Sequence, residues 1–255
     1  MPEIAALAGM DWSLYAMAFV LIAAAAIVQS TIGVGFGVVA APILALLDPA
    51  MVPGPMLVLG LAITLLVLAR DRRDIRFGPL GWALVGRILA SLAGGLTASL
   101  LSPRAFLLLF GALILVAVGL SLSGWRIAPT RRSLFAARLA SGYMGTITSV
   151  GTPPMAIVYQ YSPGAEVRAN LSAFLAAGAL ISILSLALFG AFDATELLFA
   201  LSLLPGLALG FWVSGPLKRI TDRGWMRPAM LVLCVAASVT LILRGLGMEA
   251  GAAVP

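Results

Sequence analysis

The feature that most constrains this chain is a series of long apolar stretches separated by short polar connections. We identify eight of them, at residues 13–47, 52–69, 79–100, 104–123, 134–160, 167–190, 195–213 and 228–246. A helix needs about 20 apolar residues to cross the hydrocarbon core of a bilayer. With 62% hydrophobic and only 10% charged residues, the chain lacks the polar surface of a soluble domain. The sequence therefore predicts an all-α polytopic membrane protein.

Composition excludes several kinds of chemistry. The chain has no histidine and one cysteine, so it offers no His or Cys metal cluster, no Ser-His-Asp triad and no internal disulfide. An intramembrane enzyme would need paired acids, or a nucleophile with a base, inside an apolar stretch, and the sequence provides neither. We predict that the protein is not an enzyme and needs no cofactor or metal. The net charge of +6 does not indicate nucleic-acid binding, because the arginines fall mostly between the apolar stretches. In such loops, basic residues indicate which side of the membrane each loop occupies.

Two of the apolar stretches cannot be single straight helices. The first contains the glycine-rich segment 33–37, and the fifth contains the segment 145–154 with two glycines and a double proline. A straight helix of about 35 residues would be about 52 Å long, whereas the hydrocarbon core is about 30 Å thick. Glycine permits unusual backbone angles and proline removes an N–H donor. Each stretch should therefore consist of two half-helices joined by an irregular linker.

Each break opens a block of four apolar stretches, which indicates an internal duplication. We predict a first transmembrane repeat at 1–123, a cytoplasmic linker at 124–133 and a second transmembrane repeat at 134–255, all within one membrane domain. Each broken stretch can either return to its own side as a re-entrant hairpin or cross the membrane once. Hairpins leave three true crossings per half, so the second repeat would be inverted relative to the first.

The distribution of basic residues favours the hairpins. With hairpins, thirteen of the 16 basic residues fall on one side of the membrane. These residues lie in the loops 70–76, 125–138 and 214–227 and at Arg168. With single crossings, the split falls to about nine against six. The positive-inside rule then places the basic side in the cytoplasm and both termini outside it.

The two breaks are the leading candidates for a binding site. Irregular backbone inside a bilayer is tolerated only where protein or a water-filled cavity covers it. A half-helix that begins near Gly37 or near Pro154 would direct N–H groups and a positive dipole end into the protein, which suits an anion. Helix–helix contact alone is the alternative role for such small residues. The residues that we predict to bind substrate here are Gln29, Ser30, Thr31, Gly35, Gly37, Ser149, Gly151 and Thr152.

Charged residues add one further candidate for the substrate site and two for proton coupling. Arg87 is the one basic residue deep in an apolar stretch, where a charge costs about 2.5–3.5 kcal/mol and needs a partner or water. It can bind an anionic substrate, or its long side chain can reach the cytoplasmic surface. Every acid lies in or beside a loop. Asp48 and Glu166 follow the two breaks at equivalent places and are the candidates for proton coupling, with solvation of a helix end as the alternative.

Three segments resemble motifs of the sulfite exporter TauE/SafE family, also called the 4-toluene sulfonate uptake permease family. They are GVGFGVVAAPIL at 33–44, GTITSVGTPPMAIVYQ at 145–160 and VRANLSAF at 167–174. Together with the length and the eight apolar stretches, the resemblance covers essentially the whole chain. It implies transport of small sulfur-containing or organic anions, such as sulfite, sulfoacetate or other organosulfonates. Phe36 and Thr152 stand where the family often has glycine, which leaves the substrate open.

These observations combine into one functional prediction. We predict a multi-pass secondary transporter of the bacterial inner membrane that carries a small anion by alternating access of its two halves. Its partners are the anion and the lipid bilayer. No ATP-binding motif is present, so an ion gradient should drive transport, with protons as the expected coupling ion. A passive anion channel or facilitator of the same architecture is the alternative. The direction of transport and the oligomeric state stay open.

Overall fold

The computed structural model describes residues 11–32, 35–71, 80–125, 127–128, 130–159, 164–221 and 226–247. Within these residues every regular element is a helix. The elements are α1 (Trp12–Ile32), α2 (Phe36–Leu47), a 3₁₀ turn (Pro49–Met51), α3 (Gly54–Asp71), α4 (Leu80–Leu100), α5 (Pro103–Leu122), α6 (Arg131–Thr148), α7 (Thr152–Tyr159), α8 (Gly164–Leu188), α9 (Ala194–Thr221) and α10 (Met226–Gly245).

Each of the eight predicted apolar stretches forms helix. Five segments in the described residues are long and apolar enough to span a membrane, namely Trp12–Thr31, Pro49–Ala69, Pro103–Leu122, Leu171–Leu188 and Ala194–Gly215. Shorter apolar helical segments are Phe36–Leu47, Val85–Leu100 and Leu231–Gly245. Large apolar side chains such as Val20, Leu188 and Trp212 are 68%, 71% and 78% exposed, as a surface that faces lipid requires. The chain is therefore a multi-pass membrane protein.

Both predicted breaks are present. In the first half, α1 ends at Ile32 and α2 begins at Phe36. In the second half, α6 ends at Thr148 and α7 begins at Thr152. The glycine-rich and proline-rich segments thus interrupt the helices where the sequence predicts, and each leaves a short second helix.

The start of α6 corrects the predicted extent of the cytoplasmic loop 125–138. Thr130 and Ser133 form a reciprocal capping box, in which the Ser133 N–H donates to Thr130 Oγ1 at 3.2 Å and the Thr130 N–H donates to Ser133 Oγ at 2.9 Å. This cap begins the helix at Arg131, inside the predicted linker 124–133. Arg138, predicted to lie in the loop, is instead a buried helical residue.

The first broken stretch folds back on itself. α1 begins beside the first turns of α9, where the Tyr15 hydroxyl donates to the Ser202 carbonyl at 2.9 Å. The chain that follows α2 lines a cavity of about 240 Å³ together with the α4–α5 connection and with Glu196 at the start of α9. Both ends of the α1–α2 stretch therefore lie at the same end of the bundle, as in a hairpin.

The second broken stretch also folds back, but from the opposite end. The Ser141 hydroxyl of α6 contacts the Gly151 carbonyl just before α7, and Ala137 lies in one buried cluster with Val158 near the end of α7. α6 runs parallel to α4, since Gly86 lies beside Phe135 and Gly94 beside Thr146. α4 ends where the first hairpin opens. The α6–α7 hairpin therefore opens at the other end of the bundle.

Each broken stretch packs against helices from the opposite part of the chain. α1 packs against α9 and α6 packs against α4, while α3 packs against α8 and α5 against α10. α2 contacts α10, and α7 contacts α5. Each broken stretch therefore packs against helices of the other half. The division into two repeats at 1–123 and 134–255 stays a prediction.

The hairpin geometry makes a topological prediction. In a Cys234→Ser background, we expect Asp11→Cys and Asp48→Cys to react from the same side of the membrane with a maleimide that cannot cross it. Ala128→Cys, in the connection between the halves, should react only from the other side. Labelling of intact and permeabilised cells measures this directly. If Asp11→Cys and Asp48→Cys reacted from opposite sides, the first broken stretch would be a single crossing.

Candidate functional site

The first break is held by a side chain from the helix before it. Gly35 has φ 119° and ψ −3°, a conformation that residues with a side chain rarely adopt. The next residue, Phe36, begins α2, and its N–H donates to Gln29 Oε1 at 2.9 Å. Gln29 is buried and thus satisfies one of the free N–H groups at the start of α2.

The second break turns at Ser149. Its φ of 59° is positive, which no other non-glycine residue of the described chain shows. The Val150 N–H donates to Thr148 Oγ1 at 3.1 Å, and the Ser141 hydroxyl donates to the Gly151 carbonyl at 2.5 Å. The Ser149 hydroxyl in turn donates to the Pro53 carbonyl at 3.2 Å, which joins this break to the start of α3.

The two breaks meet in the interior of the bundle. Gly37 lies so close to Ser149 that an added Cβ would overlap the Ser149 carbonyl oxygen. A cavity of about 60 Å³ lies at this contact. The predicted site residues that line it are Gln29, Gly37, Arg87, Ser149, Gly151 and Thr152. Helices α3 and α8 complete the wall with Met56, Leu57, Gly60, Thr64, Leu175 and Ala179.

Arg87 reaches into this cavity from α4. It is 2% exposed, and its Nη1 donates to the carbonyl and to the hydroxyl of Ser141 at 2.6 and 2.8 Å. Its Nη2 lies 3.4 Å from the Ser182 hydroxyl, and its guanidinium carbon lies 5.6 Å from the centroid of the Phe174 ring, within cation–π range. The guanidinium therefore stays inside the bundle and does not extend to the cytoplasmic surface.

The charge of Arg87 is not neutralised by any acid in the described part of the chain. Its contacts there are hydroxyls, a carbonyl and an aromatic ring, and its Nε has no hydrogen-bond partner. A buried charge without a partner is costly to retain. The arrangement therefore places a positive charge in the wall of a small cavity, which makes the cavity complementary to an anion.

A set of buried hydroxyls around Arg87 was not predicted from the sequence. Thr146 Oγ1 lies 2.8 Å from Ser182 Oγ, and the Ser185 hydroxyl donates to the Ser91 carbonyl at 2.8 Å. The Ser91 hydroxyl of α4 lies 3.5 Å from Ser182 Oγ, so with Ser141 these hydroxyls come from α4, α6 and α8. Small residues at four-residue spacing in α4 and α6 let these helices approach closely. This spacing is visible in the sequence and could have predicted that the two helices pack together.

Three predicted site residues lie outside the cavity wall. Ser30 is buried at 1% exposure, and the Thr31 hydroxyl bonds to carbonyls of its own helix at 2.9 and 3.0 Å. Gly35 forms the turn itself. Of the two proton-coupling candidates, Asp48 accepts a hydrogen bond from the Ala50 N–H at 2.9 Å and caps the 3₁₀ turn. The side chain of Glu166 lies outside the described residues.

Comparison with known families gives one match. The sequence model of the family described as sulfite exporter TauE/SafE matches residues 18–241, which include both breaks and Arg87. The chain belongs to the sulfite exporter TauE/SafE family. Searches of curated proteins and of solved structures gave no match. Membership in the TauE/SafE family makes the chain a membrane transporter of the sulfite and anion exporter class, and it confirms the resemblance seen in the motifs.

Proposed function

We propose that this TauE/SafE chain is a secondary carrier that moves a small sulfur-containing or organic anion across the bacterial inner membrane. Sulfite, sulfoacetate and other organosulfonates are the substrate class. The observation that carries the proposal is Arg87, a buried cation with no acid partner among the described residues, which faces a cavity between two helix breaks.

The size of the cavity limits which anions can bind without a change in the structure. A volume of about 60 Å³ holds several water molecules or one small oxyanion. Sites for drug-sized ligands are about 300–1,000 Å³. Sulfite, or the sulfonate group of a larger molecule, fits the cavity as it stands, whereas a bulky organic tail requires the halves to separate. Arg87 would supply the charge and Thr152 a hydroxyl donor, whereas Ser149 would have to exchange its hydrogen bond to the Pro53 carbonyl for one to the anion.

The proposed mechanism is alternating access of two inverted repeats. The two hairpins open at opposite ends of the bundle, and each packs against the other half, so a rocking motion of one half moves both breaks around a common site. A proton gradient is the proposed driving force. Asp48 and Glu166 remain the candidates for proton transfer, although Asp48 is engaged in capping a turn.

Flux measurements in proteoliposomes test this function. We expect saturable transport of radiolabelled sulfite that responds to an imposed pH gradient and is inhibited by unlabelled organosulfonates. Flux that rises linearly with concentration and ignores the gradient would support a passive channel instead. Absence of flux for sulfite and for every organosulfonate tested would contradict the proposal.

Ser141 should matter because it orients Arg87. Its hydroxyl bridges Arg87 Nη1 and the Gly151 carbonyl. Loss of a hydrogen bond to a charged group costs about 1.5–3 kcal/mol, so we expect Ser141→Ala to weaken sulfite affinity roughly tenfold or more. Titration of the thermal stability with sulfite measures this. Thr240→Ala is the matched control, because the Thr240 hydroxyl bonds only to its own helix at Ala236. An unchanged affinity in Ser141→Ala would count against this positioning role.

A further inference from the structure

A second buried arginine lies on α6 and has no role in the proposed site. Arg138 is 7% exposed, and its Nε has no hydrogen-bond partner among the described residues. No acidic side chain in that part of the chain forms an ion pair with it. A buried cation without a neutralising charge costs free energy, and such residues in membrane segments mark substrate and ion pathways.

The position of Arg138 relates it to Arg87. Arg138 and Ser141 are three residues apart on α6 and so lie on the same helix face, and Ser141 holds the Arg87 guanidinium. The Arg138 Cβ lies 3.7 Å from the position of a Cβ added at Gly86, the residue before Arg87. The two arginines therefore leave neighbouring turns of two parallel helices.

A line of residues on α6 leads from Arg138 to the cavity. Ser141 and Gly145 follow Arg138 at three and seven residues, a spacing that keeps them on one face of α6, and Ser149 directly follows the end of the helix at Thr148. Gly145 and Ser149 line the cavity, and Ser141 holds Arg87. Of these residues, Arg138 is the nearest to the start of α6. The distribution of basic residues predicts that this end of α6 faces the cytoplasm.

We infer that Arg138 forms a second anion subsite between the cytoplasmic end of the bundle and Arg87. The inference rests on the proposed function, and the ligand is the same small oxyanion or sulfonate group. The two arginines have no acid partner among the described residues and repel each other across neighbouring turns, and an anion beside them relieves that repulsion. Arg138 would attract the anion from the cytoplasmic side and pass it to Arg87, much as charged rings select ions in pores.

The test distinguishes a role of the Arg138 charge in anion binding from a role of its side chain in packing. In proteoliposomes we expect Arg138→Gln to raise the KM for sulfite presented at the cytoplasmic face about tenfold, the loss expected for one charged hydrogen bond, with little change in maximal rate. Arg138→Lys keeps the charge and should restore most of the affinity. Arg132→Gln is the matched control, because Arg132 is an exposed arginine on the same helix.

The outcomes distinguish failure of the subsite from failure of the function. If the KM of Arg138→Gln for sulfite equalled that of the unmodified protein, Arg138 would not form an anion subsite. The proposed function would still stand, provided that the unmodified protein transports sulfite. Equal losses in Arg138→Gln and Arg138→Lys, together with lower thermal stability, would assign Arg138 a structural role and also overturn the inference. No sulfite or organosulfonate flux in the wild type would refute the proposed function itself.

Discussion

Replacing Arg87 with glutamine is expected to reduce sulfite transport at least about a hundredfold without lowering the thermal stability of the empty protein. Removing one partner of a buried charge pair costs about 3–5 kcal/mol, which corresponds to roughly 10²–10⁴-fold in affinity. In the empty protein, however, Arg87 is a buried charge without an acid partner in the described chain. Glutamine removes that unfavourable charge. Flux, and thermal unfolding with and without sulfite, measure the two effects.

A matched arginine at the other end of the bundle provides the control. Arg244 donates from Nη1 to the Leu46 carbonyl at 2.6 Å and is not among the residues that line the cavity. Arg244→Gln should keep both sulfite flux and the stabilisation by sulfite. If Arg87→Gln unfolded at a lower temperature and the folded fraction still transported sulfite, Arg87 would be a structural residue and the proposed site would be wrong.

The second large effect is expected from Gly37→Ala. The added methyl group would overlap the carbonyl oxygen of Ser149, which is backbone and cannot rotate away. Overpacking of this kind costs about 1–3 kcal/mol, occasionally more, and here the strain is relieved only if the two breaks separate. We expect a lower unfolding temperature in detergent and loss of sulfite flux, since the cavity lies at this contact.

Gly119 offers the control for this substitution. It lies in α5, and a Cβ at this position would have no atom within 4 Å. Gly119→Ala should leave flux unchanged and should change stability by at most about 1 kcal/mol, in the favourable direction that helix propensity gives alanine. Normal stability and flux in Gly37→Ala would mean that the two breaks do not need their close contact.

The helices and their breaks follow from local sequence, whereas their mutual arrangement does not. The apolar stretches and the segments 33–37 and 145–154 determine where helices form and stop, because these effects act within a few residues. Which helices pack together depends on contacts between residues far apart in the chain, such as Gly37 with Ser149. The start of α6 was missed because the arginine-rich segment after Thr130 looks like a loop, although Thr130 and Ser133 carry the signal of a capping box.

The same distinction holds for the candidate site. Arg87 stands out in the sequence because a charge in an apolar stretch is rare, and it proves to be buried beside both breaks. Its hydroxyl neighbours Ser141 and Ser182 look like ordinary small residues, because their role depends on where α4 places the guanidinium. Thr31 appeared equally polar, yet its hydroxyl bonds to its own helix. Residue type identifies polar candidates, and only the tertiary structure shows which of them share a cavity.

Direct observation of the bound anion tests the central claim most sharply. Selenite is a pyramidal oxyanion like sulfite, and its selenium atom scatters anomalously, so an anomalous difference map of crystals grown with selenite locates it. The account predicts a peak in the cavity between the breaks, within hydrogen-bond distance of the Arg87 guanidinium. A peak elsewhere in the bundle, or an empty cavity at saturating selenite, would contradict it.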